Sequence, residues 1–179
     1  MTDFQLTSYT FPSGGEIPRK CGYKDENVSP SLNIHGIPDG TRTFALIMDD
    51  PDAMEPAGKI WVHWIFWNYM ISGATQKLVK HGDEDNVLGL GIAEGASPQN
   101  PKEGKFLGMM AVEGVTDFGK VGYGGPAPPD KRHTYVFKLY ALDCKELPCA
   151  DGVATKAEVE KAMEGHILEQ AKLTGTCAP

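Results

Sequence analysis

Three short stretches of this 179-residue chain carry the side chains that could do chemistry. The first is Asp49-Asp50-Pro51-Asp52-Ala53, at the end of an apolar run. Pro51 fixes its own φ and biases Asp50 towards extended backbone. In extended chain, residues i and i+2 point to one side, so Asp50 and Asp52 are expected to converge on one site. The second is His63, inside the apolar and aromatic run Val62–Tyr69. The third is Gly122-Tyr123-Gly124-Gly125-Pro126-Ala127-Pro128-Pro129, followed by His133-Thr134-Tyr135. Glycines let successive backbone N–H groups aim at one point and form an anion nest. His133 and Tyr135 share a strand face and could join it. No Gly-Lys-Ser/Thr follows, so this is not a phosphate-binding P-loop. Taken singly, each stretch has a plainer reading: a solvated turn, a core histidine and a stiff connecting loop. Asp130-Lys131-Arg132-His133 likewise reads as a solvated turn, unless Lys131 or Arg132 meets an anion at a pocket mouth.

Together these residues suggest two chemistries. An aspartate beside a histidine favours imidazolium and orients its ring through Nδ1–H. His63 and His133 would then offer Nε2–H donors to phosphate or carboxylate oxygens as charge-assisted hydrogen bonds. The competing reading is a hydrolase or metal-dependent enzyme, in which two Asp and two His hold a divalent cation or one Asp–His pair acts as general base. The sequence contains neither Gly-x-Ser-x-Gly nor His-Glu-x-x-His, so binding without a cofactor or metal is the favoured expectation.

The elements that must position these groups are mostly strands. Phe44–Met48, Val62–Tyr69 and Tyr135–Leu142 are short apolar runs rich in aromatic and β-branched residues; Phe4–Thr7 and Phe106–Val112 are weaker. Ser13-Gly14-Gly15, Pro38-Asp39-Gly40 and His81-Gly82-Asp83 supply turns between them. One helix is expected near the end. Thr155-Lys156-Ala157-Glu158 matches a capping box, and Val159, Ala162, Met163, Ile167 and Ala171 recur at spacings of three and four, for about four turns. Gly165 weakens that helix slightly. With 21 Gly and 13 Pro scattered as punctuation and no internal repeat, residues 1–179 read as a single mainly β domain.

A net charge of −7 argues against a nucleic-acid partner. No apolar run reaches the roughly 18 residues of a membrane span, and the N-terminus lacks a basic segment followed by an apolar one. A cytoplasmic protein without stable membrane insertion is expected. Cys21, Cys144, Cys149 and Cys177 fit reduced thiols, since none has Cys-x-x-Cys spacing; a Cys144–Cys149 disulfide stays open for an exported protein.

Taken in order, Phe11–Pro18, Ser29-Pro30-Ser31-Leu32, Ile37-Pro38-Asp39-Gly40-Thr41, Asp50-Pro51-Asp52-Ala53, His63-Trp64, Gly122–Pro129 with His133 and Tyr135, Gly165–Leu168 and Leu173-Thr174-Gly175 run along nearly the whole chain. This series resembles the phosphatidylethanolamine-binding protein family, which includes Raf kinase inhibitor proteins and plant flowering-time regulators, and resembles its bacterial and archaeal branch most. The resemblance implies a Greek-key antiparallel β-sandwich with peripheral helices, including the C-terminal amphipathic one. It also implies an anion pocket lined by Asp50, Asp52, His63, Pro126, His133 and Tyr135, with N–H donors from the backbone around Gly125 and Ala127. The partners it implies are a small anionic ligand and a kinase or protease to be inhibited; a homodimer stays open. The chain departs from the family pattern at Met54, Ala127, Thr134 and Cys177, where proline, cysteine, arginine and tyrosine are usual. The Thr134 change puts in doubt any partner contact that depends on arginine there.

Overall fold

A computed structural model describes residues 3–70, 90–97, 105–106, 111–150 and 153–179, and all structural statements concern these. The strands are β1 (Gln5–Thr7), β2 (Leu32–His35), β3 (Thr43–Asp50), β4 (Trp61–Met70), β5 (Leu90–Ile92), β6 (Lys105–Phe106), β7 (Ala111–Glu113), β8 (His133–Leu142) and β9 (Ile167–Cys177). The helices are α1 (Met54–Ala57) and α2 (Lys156–Met163), and a 3₁₀ turn spans Pro51–Ala53. A three-stranded sheet of order β1-β2-β5 packs on a six-stranded sheet of order β6-β7-β4-β3-β8-β9, and every named pairing is antiparallel.

β3 sits at the centre of the large sheet, and all eight of its residues are buried. That is why its sequence is a continuous apolar run rather than an alternating one. Phe44, Leu46 and Met48 face the small sheet, sharing a core with Leu32, Ile34, Trp64, Phe137 and Leu173. Ala45 and Ile47 face the other way, into a second core closed by Val159 and Met163 of α2. Asp49, on that outer face, accepts from Lys138 Nζ at 2.5 Å and Lys156 Nζ at 2.9 Å, which ties α2 to the sheet.

β4 departs twice from regular pairing with β3. Leu46 pairs Phe66 while Phe44 pairs Tyr69, and Met48 pairs Trp64 while Asp49 pairs Val62. The first irregularity includes Asn68 at φ +56°. The second leaves His63 as the extra residue of a β-bulge. Such bulges re-aim a side chain that regular pleating would send elsewhere.

The C-terminal helix is shorter than its apolar spacing predicts. The Thr155–Glu158 capping box forms as expected, but α2 ends at Met163 and Gly165 takes φ +81°. Ile167 and Ala171 lie on β9 instead, paired with Leu142 and Leu139. A spacing of four is compatible with a helical face and with strand alternation alike, so that part of the signal could not separate them. In place of one strand over Phe106–Val112, the arms β6 and β7 pair with each other, and the residues between them lie outside the described set. The expected turn at His81-Gly82-Asp83 also lies outside it. No helix among the described residues is long and apolar enough to cross a membrane, and all four cysteines are free.

Candidate binding pocket

β3 and β8 bring the first and third chemical stretches together. Their ladder ends at Asp49–Val136, because Pro51 turns the chain away just beyond. Past that point, side chains replace the backbone pairing. Asp52 Oδ2 accepts the Thr134 N–H at 2.7 Å, and Asp50 Oδ2 lies 2.7 Å from His133 Nδ1. Asp50 is itself fixed by its other oxygen, which accepts the Ala53 N–H at 3.1 Å. Asp50 and Asp52 therefore do not converge as an extended chain would have them. Residues 51–53 form a helical turn, so Asp52 swings away and clamps the start of β8 while Asp50 alone reaches the histidine.

His133 is fully buried and both ring nitrogens meet carboxylates: Nδ1 meets Asp50, and Nε2 meets Asp130 Oδ1 at 2.8 Å. Two carboxylates leave the ring no acceptor role to play, so it is an imidazolium with both N–H groups donating. Burial opposes that charge, but Asp50 and Asp130 outweigh it and raise the His133 pKa above the ordinary value. Desolvation opposes the Asp130 charge, but the hydrogen bond and charge of His133, with the backbone N–H groups of the turn, together outweigh it and hold the carboxyl below the ordinary range. Asp130 was legible in the sequence only as part of a turn.

His63 is different. Its Nδ1 lies 2.7 Å from the Gly124 carbonyl oxygen and 3.1 Å from that of Gly125. Carbonyls only accept, so Nδ1 carries the proton. Burial lowers the His63 pKa, although the two carbonyls and the nearby Asp50 charge favour the cation. At neutral pH the ring is therefore neutral, with Nε2 as a lone-pair acceptor. The expectation of two equivalent Nε2–H donors, each oriented by an aspartate, gives way to one carboxylate-bound imidazolium and one neutral imidazole held by backbone. Phe118 and Tyr135 meet the His63 ring edge-to-face, at 5.3 and 5.0 Å between centroids.

The glycine-rich loop serves close approach more than a nest. A Cβ on Gly125 would lie 1.8 Å from the Cys21 carbonyl oxygen, and one on Gly124 would lie 2.5 Å from the Phe118 ring. The Gly125 N–H is already donated to Asn27 Oδ1 at 2.8 Å, and the Pro126 carbonyl accepts the Tyr23 N–H at 2.9 Å. Ala127 is thus the loop's remaining donor of those expected. The Tyr135 hydroxyl is buried beneath it and close to Asp50, without hydrogen-bond geometry to either, and burial pushes its pKa up.

Asp50, His63, Ala127 and His133 line a cavity of about 200 Å³, whose walls are Ala53, Pro56, Ala57, Trp61, Phe118 and Pro129. Asp52, Gly125, Pro126 and Tyr135 stand behind that lining. Trp61 lies just before the run read as a strand, and Phe118 has no sequence signal that marks it. Across the loop, Pro126 and Ala127 also border a second cavity of about 330 Å³ with Glu16, Arg19 and Cys177. Lys131 is paired with Glu55, and Arg132 Nη1 lies 3.1 Å from Glu16, so neither is a loose cation at the pocket mouth. The described residues with metal-ligand geometry are elsewhere: Asp143, Cys144 and His166 lie within 4.8 Å of one another beyond the far end of β8. A ten-residue strand puts that corner about 30 Å from His133.

The comparisons with known proteins agree on one kinship. A family model described as phosphatidylethanolamine-binding protein matches residues 7–178. A UPF0098 protein of Methanothermobacter thermautotrophicus is 38% identical over 170 residues, covering 95% of each chain. Another from Chlamydia muridarum is 36% identical over 174 residues, covering 96% of this chain and 97% of its own. Among solved structures, YbcL of Escherichia coli, described as a new member of the mammalian PEBP family, superposes with a TM-score of 0.78 at 30% identity, covering 97% of both chains. CT736 of Chlamydia trachomatis, described as a putative phosphatidylethanolamine-binding protein homolog, gives 0.76 at 31% identity, covering 99% of this chain and 98% of its own.

Proposed function

The chain belongs to the phosphatidylethanolamine-binding protein family, and from that premise we propose that its pocket binds a small oxyanion, a phosphoryl or carboxylate group, without turning it over. The observation that carries this reading is His133, a buried imidazolium fixed through Nδ1 by an anchored aspartate. A cation held that way is pre-organised to meet an anion through its other N–H. His63 completes the site in a different role. Its Nε2 lone pair either takes a proton from solvent as the anion enters or accepts a hydrogen bond from a ligand that brings its own proton as P–O–H. Binding is therefore coupled to proton uptake.

Inorganic phosphate is the direct probe. Calorimetric titration near pH 7, in two buffers of different ionisation heat, is expected to show net proton uptake that falls when His63 is replaced by glutamine. Binding without proton uptake, or uptake unchanged in His63→Gln, would remove this mechanism.

The physiological role we assign is regulation of a kinase or protease through the same pocket. Its support is the rim, where Met54 and Ile60 are exposed hydrophobics beside the apolar pocket wall. A protein partner presenting an acidic or phosphorylated side chain would cover that rim while its anion reached His133. The expected result is a kinase or protease inhibited by the wild-type chain and not by His133→Ala. Equal inhibition by both would separate the regulation from the pocket.

A further inference from the structure

We propose that Asp130 is a built-in occupant of the ligand position and sets which anions the pocket accepts. Its carboxylate holds the one His133 donor that faces away from Asp50, and an incoming anion takes that donor only by turning Asp130 out to solvent. This rests on the reading of the pocket as an oxyanion site.

The two carboxylates on His133 are unlike each other. Asp50 is buried, its side chain 5% exposed, and its second oxygen is held by the Ala53 N–H. Asp130 is 41% exposed and reaches the ring from only three residues away. A buried partner cannot leave without stranding the imidazolium, whereas an exposed one can be rehydrated. Asp50 is thus the permanent partner and Asp130 the exchangeable one.

The surrounding loop allows this exchange by side-chain rotation alone. Pro128 and Pro129 precede Asp130, each with φ fixed by its ring. Lys131 and Arg132 follow it, paired with Glu55 and Glu16. The prolines before it and the β8 ladder that begins at His133 hold the backbone on both sides of the residue whose side chain must move.

Charge explains the selectivity. With Asp50 and Asp130 ionised, His133 cationic and His63 neutral, the closed site carries a net charge of about −1, which disfavours any anion until Asp130 leaves. A ligand must replace the Asp130 bond and gain something more. Phosphate does so through several oxygens, one on His133 Nε2 and another towards His63 Nε2 as P–O–H. Acetate offers the kind of single carboxylate contact that Asp130 already makes, and an intramolecular carboxylate competes with it at high effective concentration. Asp130 accordingly discriminates against monocarboxylates and moderates phosphate affinity.

The test is equilibrium binding of inorganic phosphate and of acetate to the full chain at pH 6.5, comparing wild type with Asp130→Ala and Asp130→Asn. Both variants are expected to bind phosphate about tenfold more tightly and to gain measurable acetate binding, since a tenfold change is what one competing charge-assisted hydrogen bond supplies. Wild type binding phosphate with no gain in either variant overturns the role of Asp130 and leaves the oxyanion site standing. Failure of all three proteins to bind phosphate overturns the oxyanion reading, and this proposal falls with it. A readout without ligand accompanies these: the His133 Nε2 resonance of the ¹⁵N-histidine-labelled chain should shift in Asp130→Ala, and an unmoved resonance would show that the contact does not form in solution.

Discussion

Replacing Asp50 by asparagine changes little volume and leaves the backbone turn intact, yet it should invert the electrostatics of the pocket. Asp50 accepts two N–H groups, from Ala53 and from His133 Nδ1. An asparagine has one carbonyl oxygen, so if that oxygen keeps Ala53 the amide NH₂ faces His133 and can only donate. His133 must then be neutral, with its proton on Nε2. The bond lost is charge-assisted and lies between groups 0% and 5% exposed. Such bonds contribute roughly 1.5–3 kcal/mol, and at about 1.36 kcal/mol per pH unit the His133 titration should move down by about one to two pH units. Nuclear magnetic resonance titration of the histidine ring nitrogens reads this directly. Stability should follow with a defined sign. Burial lowers the native His133 pKa but the carboxylates raise it further. Its contribution is therefore fully present below an unfolded pKa near 6.5 and is lost as pH rises through the raised native value. In Asp50→Asn that loss above pH 6.5 should shrink or vanish in denaturant titrations. An unmoved His133 midpoint in the variant would refute the assignment of Asp50 as the group that charges the ring.

Gly125→Ala should destabilise the fold by about 1–3 kcal/mol in denaturant titrations, since its Cβ meets the Cys21 carbonyl at 1.8 Å and one strand or loop must shift. Glu113 is buried with Trp64 Nε1–H and Ser97 on one oxygen, and burial pushes its pKa up to about 7 from an ordinary 4.5. Its raised value means stability present below about pH 4.5 and lost as pH rises through about 7. At about 1.36 kcal/mol per pH unit, Glu113→Gln should gain up to about 3 kcal/mol over wild type at pH 8 and almost nothing at pH 4.5, read by unfolding at both. Asp49→Ala strands Lys138 and Lys156 where α2 meets the sheet, and the residual exposure of the two lysines, 25% and 21%, limits the loss to about 2 kcal/mol, with increased hydrogen exchange in α2.

The strands that carry the pocket were legible because their burial writes itself into composition. β3 reads as an unbroken apolar run since both its faces are covered, and β8 begins where the Gly-Pro loop stops. That Asp50, His63 and His133 belong to one site was legible too, through the family resemblance rather than from strand order. Orientation was not. Whether His63 is held by an aspartate or by two carbonyls depends on a β-bulge, and a bulge adds a residue without any residue type of its own. Asp130 failed to stand out because Asp-Lys-Arg is ordinary turn composition. Its contact with His133 depends on how a proline-stiffened loop approaches β8. In the sequence the glycines of that loop suggest φ freedom, whereas Gly124 and Gly125 are needed because Phe118 and Cys21 come too close for a side chain. Gly125 and Cys21 are far apart in the chain, and such an approach leaves no local trace.

The central claim is that His133 and His63 take an oxyanion together with a proton. Phosphate titrated into the ¹⁵N-histidine-labelled chain at several values between pH 5 and 8 tests it most directly. Saturable shifts of the His63 and His133 ring signals are predicted, with His35 and His166 unmoved and affinity weakening as pH rises across that range. Binding that leaves the two ring signals in place, or affinity that is flat from pH 5 to 8, would contradict it.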